Sequence, residues 1–413
     1  MMIEKDFLFD NEYAIPYQFE SYNVPVYSDL CSVLREKGLP IYFCEPQLGR
    51  SYLDGVIDWM LAIRPEAAEQ LANNKAWLIY NYRNEGYPGE CHPDFRIFEE
   101  IYVGLERLKI DPSRFIFCTS NLIGLEDLKR YCKKHNKKPF YVLSFPFFEN
   151  VSRSNFISDV GYADTMSYIQ MMRTMAEEHA TDKIILSLSR VNRPERSIGQ
   201  YMLYNSKLGK HTTMSHDKVN EEDIHMYVDW YRKKYNMTFN PEHFAEWAKK
   251  TPFVVDRDDF DNNWAMHYIP WVETYARTPI QIVNETWQRN WDGASVFLSE
   301  KTFKSFLTCH PFVVNGQVGC NKWLRKLGYK LFDDYFDYQF DKVEDFETRY
   351  GMLLKGMSKT VKRVSKMNKM ERIEWRFKNI DRIKHNFEHA YSCGGSMIAY
   401  AGFMKRFEKT LRQ

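Results

Sequence analysis

Short apolar runs alternate with helix-like periodic segments over the first part of the chain. LPIYFC precedes YLDGVIDWMLAI, AWLIYNY precedes FRIFEEIYVGLERL, RFIFCTS precedes LEDLKRYCKKH, and FYVLSF closes the series. Strands alternating with amphipathic helices predict a parallel sheet with crossover helices, hence a Rossmann-like α/β domain over residues 1–160. A polar stretch, FFENVSRSNFISDVGYADT, leads to the helical MSYIQMMRTMAEEH. The alternation then restarts with KIILSLSR, RSIGQYMLYNSKLG, TPFVVD, PIQIVNETW, SVFLSEK, PFVVNG and GYKLFDD. These predict a second α/β domain over residues 161–345. Within it, IHMYVDWYRKKY and PEHFAEWAKK predict a helical insertion at about 208–250. From Val343 the strand signals vanish, and residues 346–413 are expected as basic amphipathic helices packing back across the domains.

Two domains also suit a chain of 413 residues, which exceeds what one core usually supports. The longest apolar runs stop well short of the roughly 20 residues a membrane span needs. The N-terminus, MMIEKDFLFDNEY, carries acids where a secretory signal needs basic and then apolar residues. The expected location is therefore the cytoplasm, that of the host if a phage encodes the chain. The eight cysteines form no CxxC pair and read as reduced, mostly buried thiols.

The formal net charge of +2 conceals an asymmetry, because residues 351–413 hold fifteen Lys or Arg against five Asp or Glu. A basic tail on a mildly acidic body points either to an anionic partner such as nucleic acid or to a merely solvated helical face. Aromatic residues interleave in WAMHYIPWVETYARTP and DDYFDYQF, a pattern that suits stacking on a sugar or base and equally suits a core. His267 and His310 are expected to pack.

Two facing α/β domains place ligands at the carboxyl ends of their strands. Charged residues just past a strand are the candidates. KIILSLSRVNRPERSIGQY runs out of its strand into Arg190, Arg193 and Arg196 before a helix expected near Ser197, an arrangement that suits phosphate oxygens. IQIVNETW ends in Asn284 and Glu285. In FLSEKTFKSFLTC, Ser299 is a helix cap, and Glu300 fits the first turn, but Lys301 opposes the helix dipole unless an anion sits there. A diphosphate supplies that anion, with Thr302 beside it, and Glu300 then accepts from ribose hydroxyls. Neither GxGxxG nor GxxxxGK(S/T) occurs, so the dinucleotide and P-loop fingerprints are absent. The acidic loop DRDDFDNN at 256–263 reads as solvated, and no metal site is expected.

The run IVNETW…FLSEKTFKSFLTCHPFVVNGQVGCNKWLRKLGYKLFDDYFDYQFD, with DRIKHNFEHAY after it, resembles the donor-binding domain of a family of GT-B glycosyltransferases. These occur in tailed phages and large DNA viruses and share a Glu-Lys motif with fucosyltransferase-like enzymes. SRVNRPERSIGQYMLYN resembles the family's arginine segment, and NYRNEGYP its N-terminal Glu-Gly turn. The resemblance covers residues 182–205 and 250–345, is weaker over 76–150 and is absent over 208–240. Ser299 stands where the family commonly has Thr, and Tyr338-Gln339 departs from an acidic position. The resemblance implies a GT-B-like fold of two Rossmann-like domains facing a cleft. It further implies a nucleoside-diphosphate sugar as co-substrate, expected to be a UDP-sugar, with Glu300 on the ribose and Lys301 on the phosphates. Arg193, or Arg196 in its place, would neutralise the leaving group, with no metal or other cofactor.

A transferase needs a base for the acceptor hydroxyl. Glu85, just past AWLIYNY, is the first candidate and Glu45, past IYFC, the second; Glu90, His92 and Asp94 share the loop with Glu85. The expected acceptor is 5-hydroxymethylcytosine in double-stranded phage DNA. Its backbone would track Lys359, Lys362, Arg363 and Lys366 while Arg50 and His92 line the acceptor side. A glycan or protein acceptor is the alternative, and a nucleic-acid-binding protein on a degenerate transferase fold is the non-enzymatic one.

Overall fold

The computed structural model describes residues 7–8, 25–36, 38, 40–44, 63, 65–82, 86–87, 89, 96–161, 164–189, 191–234, 239–255, 272–289 and 295–411. The chain divides into two compact units. Unit 1 comprises residues 1–154, 290–297 and 393–413, and unit 2 comprises 155–289 and 298–392.

In unit 1, the strands β1 (Phe7–Leu8), β2 (Ile41–Cys44), β3 (Trp77–Tyr82), β4 (Phe115–Thr119) and β5 (Tyr141–Ser144) form one all-parallel sheet in sequence order. Among the described residues of this stretch the helices are α1 (Pro25–Glu36), α2 (Pro65–Ala72), α3 (Ile97–Arg107), α4 (Gly124–His135) and α5 (Phe147–Val160). Alternate strand residues sort the core. Leu78, Tyr80, Phe115 and Phe117 pack with α2, α3 and α4, whereas Trp77, Ile79, Ile116 and Leu143 pack with α1 and the chain's last helix. Strands buried on both faces explain why these segments read as continuous apolar runs.

Unit 2 contains α6 (Thr165–His179), β6 (Ile185–Leu188), α7 (Pro194–Asn205), β7 (Thr212–Met214), α8 (Glu221–Lys234), α9 (Pro241–Ala248), α10 (Val272–Ala276) and β8 (Ile280–Asn284). It continues with α11 (Glu300–Leu307), β9 (Phe312–Asn315), α12 (Cys320–Lys326), α13 (Phe346–Val364), α14 (Lys369–Phe377) and α15 (Ile380–Tyr391). The sheet is parallel in the order β7-β6-β8-β9. The final helix, α16 (Gly394–Leu411), belongs to unit 1, so the basic tail is shared between the units.

Two α/β units, each with a parallel sheet, are what the alternating pattern predicts, and four details differ. The arginine-bearing helix starts at Pro194 rather than near Ser197, because proline is well suited to a first helical position. Thr212–Met214, expected inside the helical insertion, is the polar edge strand β7, and the inserted helices are α8 and α9. TPFVV forms no strand and contributes a single antiparallel bridge from Phe253 to His216. SVFL and GYKLFDD are likewise irregular. Val296 and Phe297 pack in unit 1: the Leu122 amide donates to the Val296 carbonyl at 2.9 Å, and the Phe297 ring lies so close to Gly86 that a Cβ there would meet it at 2.5 Å. No helix among the described residues is long and apolar enough to cross a membrane.

Candidate functional site

After β6 the chain moves to one side of the sheet for β7, then returns to the other side of β6 for β8. Strand order therefore reverses about β6, and the gap between the carboxyl ends of β6 and β8 is where open parallel sheets bind ligands. Right-handed crossovers in opposite directions put α7 and α11 on opposite faces, each opening toward that gap. Accordingly α7 packs on α13 and α11 packs on α15.

The gap is built around Glu285, the first residue past β8 and fully buried. Its carboxylate accepts from the Ser299 amide at 3.1 Å, from the Ser299 and Thr302 hydroxyls, and from the Thr286 amide at 3.1 Å. Glu285 thus ties the end of β8 to the start of α11. Ser299 caps α11 as expected, its Oγ accepting from the Lys301 amide at 3.4 Å. Asn284 braces the neighbouring strands, donating to Ser187 Oγ at 2.9 Å and accepting from Asn315 Nδ2 at 3.1 Å. Four residues expected on the donor side, Asn284, Glu285, Ser299 and Thr302, therefore have polar side-chain atoms engaged inside unit 2.

Glu300 is nearly buried, and Lys301 donates to its carboxylate. Burial alone would raise its pKa, but the Lys301 and Lys304 cations and the Lys301 hydrogen bond hold it down at about 2. Lys301 Nζ also reaches Thr286 Oγ1 at 3.2 Å and keeps partial exposure. In this structure Glu300 thus supplies the counter-charge that the helix start of Lys301 demands.

Arg193 is the N-cap residue of α7, donating from Nη1 to the Thr286 carbonyl at 3.0 Å with its guanidinium 4.4 Å from the Trp287 ring centroid. Arg196 is buried and donates from Nε to the Glu285 carbonyl at 3.1 Å. Burial, then the neighbouring Arg193, lowers its pKa to about 10, against the opposing pull of Glu300, Glu285 and Glu195. Arg289, 3.7 Å from Glu195, completes the cluster. Five cations (Arg193, Arg196, Arg289, Lys301 and Lys304) stand against three carboxylates (Glu195, Glu285 and Glu300). The two positive charges in excess, with two helix N-termini, suit a dianion.

The fold, rather than any sequence pattern, brings Glu195, Trp287 and Arg289 into the site, although Trp287 and Arg289 lie within four residues of Glu285 and Glu195 lies between Arg193 and Arg196. The same holds of His216. It bonds Ser197 in the first turn of α7 at 3.1 Å and is held to a pKa of about 4 by burial and then Arg196. His310 packs as expected, bonded to Thr308 Oγ1 and the Thr278 carbonyl. Tyr338 is buried, donating to the Phe312 carbonyl at 2.9 Å. Lys359, Lys362, Arg363 and Lys366 lie exposed on α13 and its following turn. Glu45, Arg50, Glu85, Glu90, His92, Asp94, Arg190, His267 and the loop 256–263 fall outside the described residues.

Among the described residues no group of three His, Cys, Asp or Glu side chains is placed to hold a metal ion. Comparison of the chain with protein-family models, curated proteins and solved structures finds no match.

Proposed function

We propose that the protein is a glycosyltransferase of the GT-B type that uses a nucleoside-diphosphate sugar, with 5-hydroxymethylcytosine in DNA as the acceptor. The supporting observation is the convergence of Arg193, Arg196, Glu300 and Lys301 at the strand-order reversal, with positive charge in excess. The diphosphate would replace Glu300 as the partner of Lys301, which frees the carboxylate to accept from the two ribose hydroxyls. Arg193 has guanidinium donors beyond its one bond to the Thr286 carbonyl and can turn a fork to the phosphates.

In the reaction, the acceptor oxygen forms a bond to the anomeric carbon as the bond from that carbon to the diphosphate oxygen breaks. The acceptor proton passes to a carboxylate, for which Glu85 and then Glu45 are the candidates. The charge that develops on the diphosphate is neutralised by Lys301, Arg193 and the two helix starts.

The test is to incubate the protein with a panel of sugar nucleotides and hydroxymethylcytosine-containing DNA, then weigh the released nucleosides. A hexose or pentose added to the modified nucleoside is the expected result. No transfer from any donor to this DNA or to glycan and protein acceptors, together with no binding of nucleoside diphosphates, would sink the reading.

A further inference from the structure

The helix α13 carries no Asp or Glu from residue 348 through its end, and the acid-free stretch continues to residue 370. Lys355, Lys359 and Lys362 are spaced by four and three residues, which puts them within about 60° of one another on a helical projection, and Lys366 follows in the turn after the helix. All four are exposed, and none forms an ion pair with a described residue. The apolar face of the helix is already used, with Leu353, Met357, Val361 and Val364 buried.

Tertiary contacts extend this ridge. Arg372 donates to the Val364 carbonyl at 3.3 Å and to the Asp182 carbonyl at 3.0 Å. Lys183, next to Asp182, donates to the Lys210 carbonyl at 2.8 Å, and Lys210 is exposed. The carboxyl end of α13 is thus tied through backbone carbonyls to Arg372, Lys183 and Lys210, from three separate segments. Much of the neighbouring acid is already paired: Asp333 with Arg325, Asp334 with Arg382, and Glu374 with Arg173. Asp337, Asp182 and Glu371, whose carboxylate accepts from the Asn368 amide, are exposed acids beside the track.

The track also has a direction. At the start of α13, Arg349 donates to the Gln288 carbonyl, just past the carboxyl end of β8. At the other end, Asp182 lies three residues before β6 and Lys210 two residues before β7. The ridge descends from the end of the sheet that holds the Arg193–Lys301 cluster to the opposite end.

We infer that this track is a binding surface for the phosphodiester backbone of a nucleic acid. A row from Lys355 to Lys366 is about 16 Å long, which spans about five phosphates of one strand. A membrane partner fits less well, because Met352 is the one exposed bulky apolar residue on the described face of α13, too little to seat an interfacial helix. This inference deepens the acceptor half of the transferase reading and rests on it only for the purpose of the binding.

The experiment reads binding without any sugar nucleotide, so the two readings fail separately. Anisotropy of a short labelled DNA duplex and of the matching single strand is followed across a salt series. The variants are Lys355→Gln/Lys359→Gln/Lys362→Gln/Lys366→Gln and a charge-matched control, Lys109→Gln/Lys129→Gln/Lys133→Gln/Lys134→Gln. The expected result is a loss of at least tenfold in affinity for the first variant, with a salt slope shallower by about 3, and wild-type behaviour for the control. The inference is overturned if the ridge variant binds as the wild type does, or if both variants weaken equally. Wild-type protein that binds phosphatidylserine vesicles and neither form of DNA would also overturn it.

Discussion

Two helices begin against a buried glutamate from another element, one in each unit. In unit 1, Glu149 accepts from the Gly395 and Ser396 amides at 2.9 and 2.6 Å and from Ser396 Oγ at 2.7 Å, at the start of α16. In unit 2, Glu285 accepts from the Ser299 amide and hydroxyl and from Thr302 at the start of α11. Each carboxylate meets the positive end of a helix and answers the orphan amides there. The difference lies in what is added. The first turn of α16, GGSM, has no charge of its own, whereas α11 adds Glu300 and Lys301 on top of a cap that is already complete. Capping does not require that second ion pair, and this surplus of charge is the physical reason to read the start of α11 as a ligand site and the start of α16 as architecture.

Removing the shared feature has the largest effect. Glu285→Ala and Glu149→Ala each strand several buried donors, so each is expected to cost about 3 to 5 kcal/mol. Urea unfolding gives the loss, and hydrogen exchange assigns it to α11 in one variant and α16 in the other. Near-native stability of either variant would contradict the shared role.

The surplus carboxylate has its own pH signature. Glu300 falls from the usual 4.5 to about 2 in the folded protein, a difference worth roughly 3 kcal/mol. Because the folded value is the lower one, that stabilisation is complete above pH 4.5 and is lost as pH falls toward 2. Glu300→Gln is expected to flatten this part of the stability profile, measured by thermal melts between pH 5 and 2. An unchanged profile in Glu300→Gln would mean that the Lys301 pair is not formed in solution.

The surplus cation separates ligand binding from stability. A nucleoside diphosphate at about a hundred times its Kd should stabilise the wild type by about 2.7 kcal/mol. Lys301→Ala is expected to weaken that binding at least tenfold. Arg193→Lys should do the same, because the ammonium keeps the charge but loses the fork that reaches Thr286 and stacks on Trp287. Equal stabilisation of wild type and both variants would remove the cluster from the donor role.

The legible parts of the molecule were those encoded locally. β3, β4, β8 and β9 are apolar runs because both sheet faces are covered, and Ser299 announces a helix start by its type and place. β7 was hidden because an edge strand made of Thr-Thr-Met has no apolar run to show. SVFL reads as a strand, but its backbone meets a loop at Asn121 and Leu122, where Asn121 Oδ1 accepts from the Val296 amide at 3.1 Å. The Glu285 hub joins residues up to 17 positions apart, and only the fold reveals that its carboxylate is consumed by Ser299 and Thr302. The basic track was half visible: α13 shows its lysines in sequence, whereas Lys183, Lys210 and Arg372 join it through carbonyl contacts between distant segments.

The smallest effect is the finest test of the comparison, because Ser299, the cap of α11, and Ser396, in the first turn of α16, both donate to their glutamates. Each hydroxyl is buried and donates to its glutamate, and Ser299 Oγ also accepts from the Lys301 amide. Ser299→Ala and Ser396→Ala should each cost about 1 kcal/mol, the usual worth of a cap or a single buried hydrogen bond. Stability alone therefore cannot tell the two helix starts apart. Nucleotide titration can, since Ser299 positions the amide and side chain of Lys301, and its loss should weaken nucleoside-diphosphate binding by a few-fold. Ser396→Ala should leave that binding unchanged. If both variants bind nucleotide alike, the start of α11 is a cap of the same kind as the start of α16, and its extra ion pair has no ligand to serve.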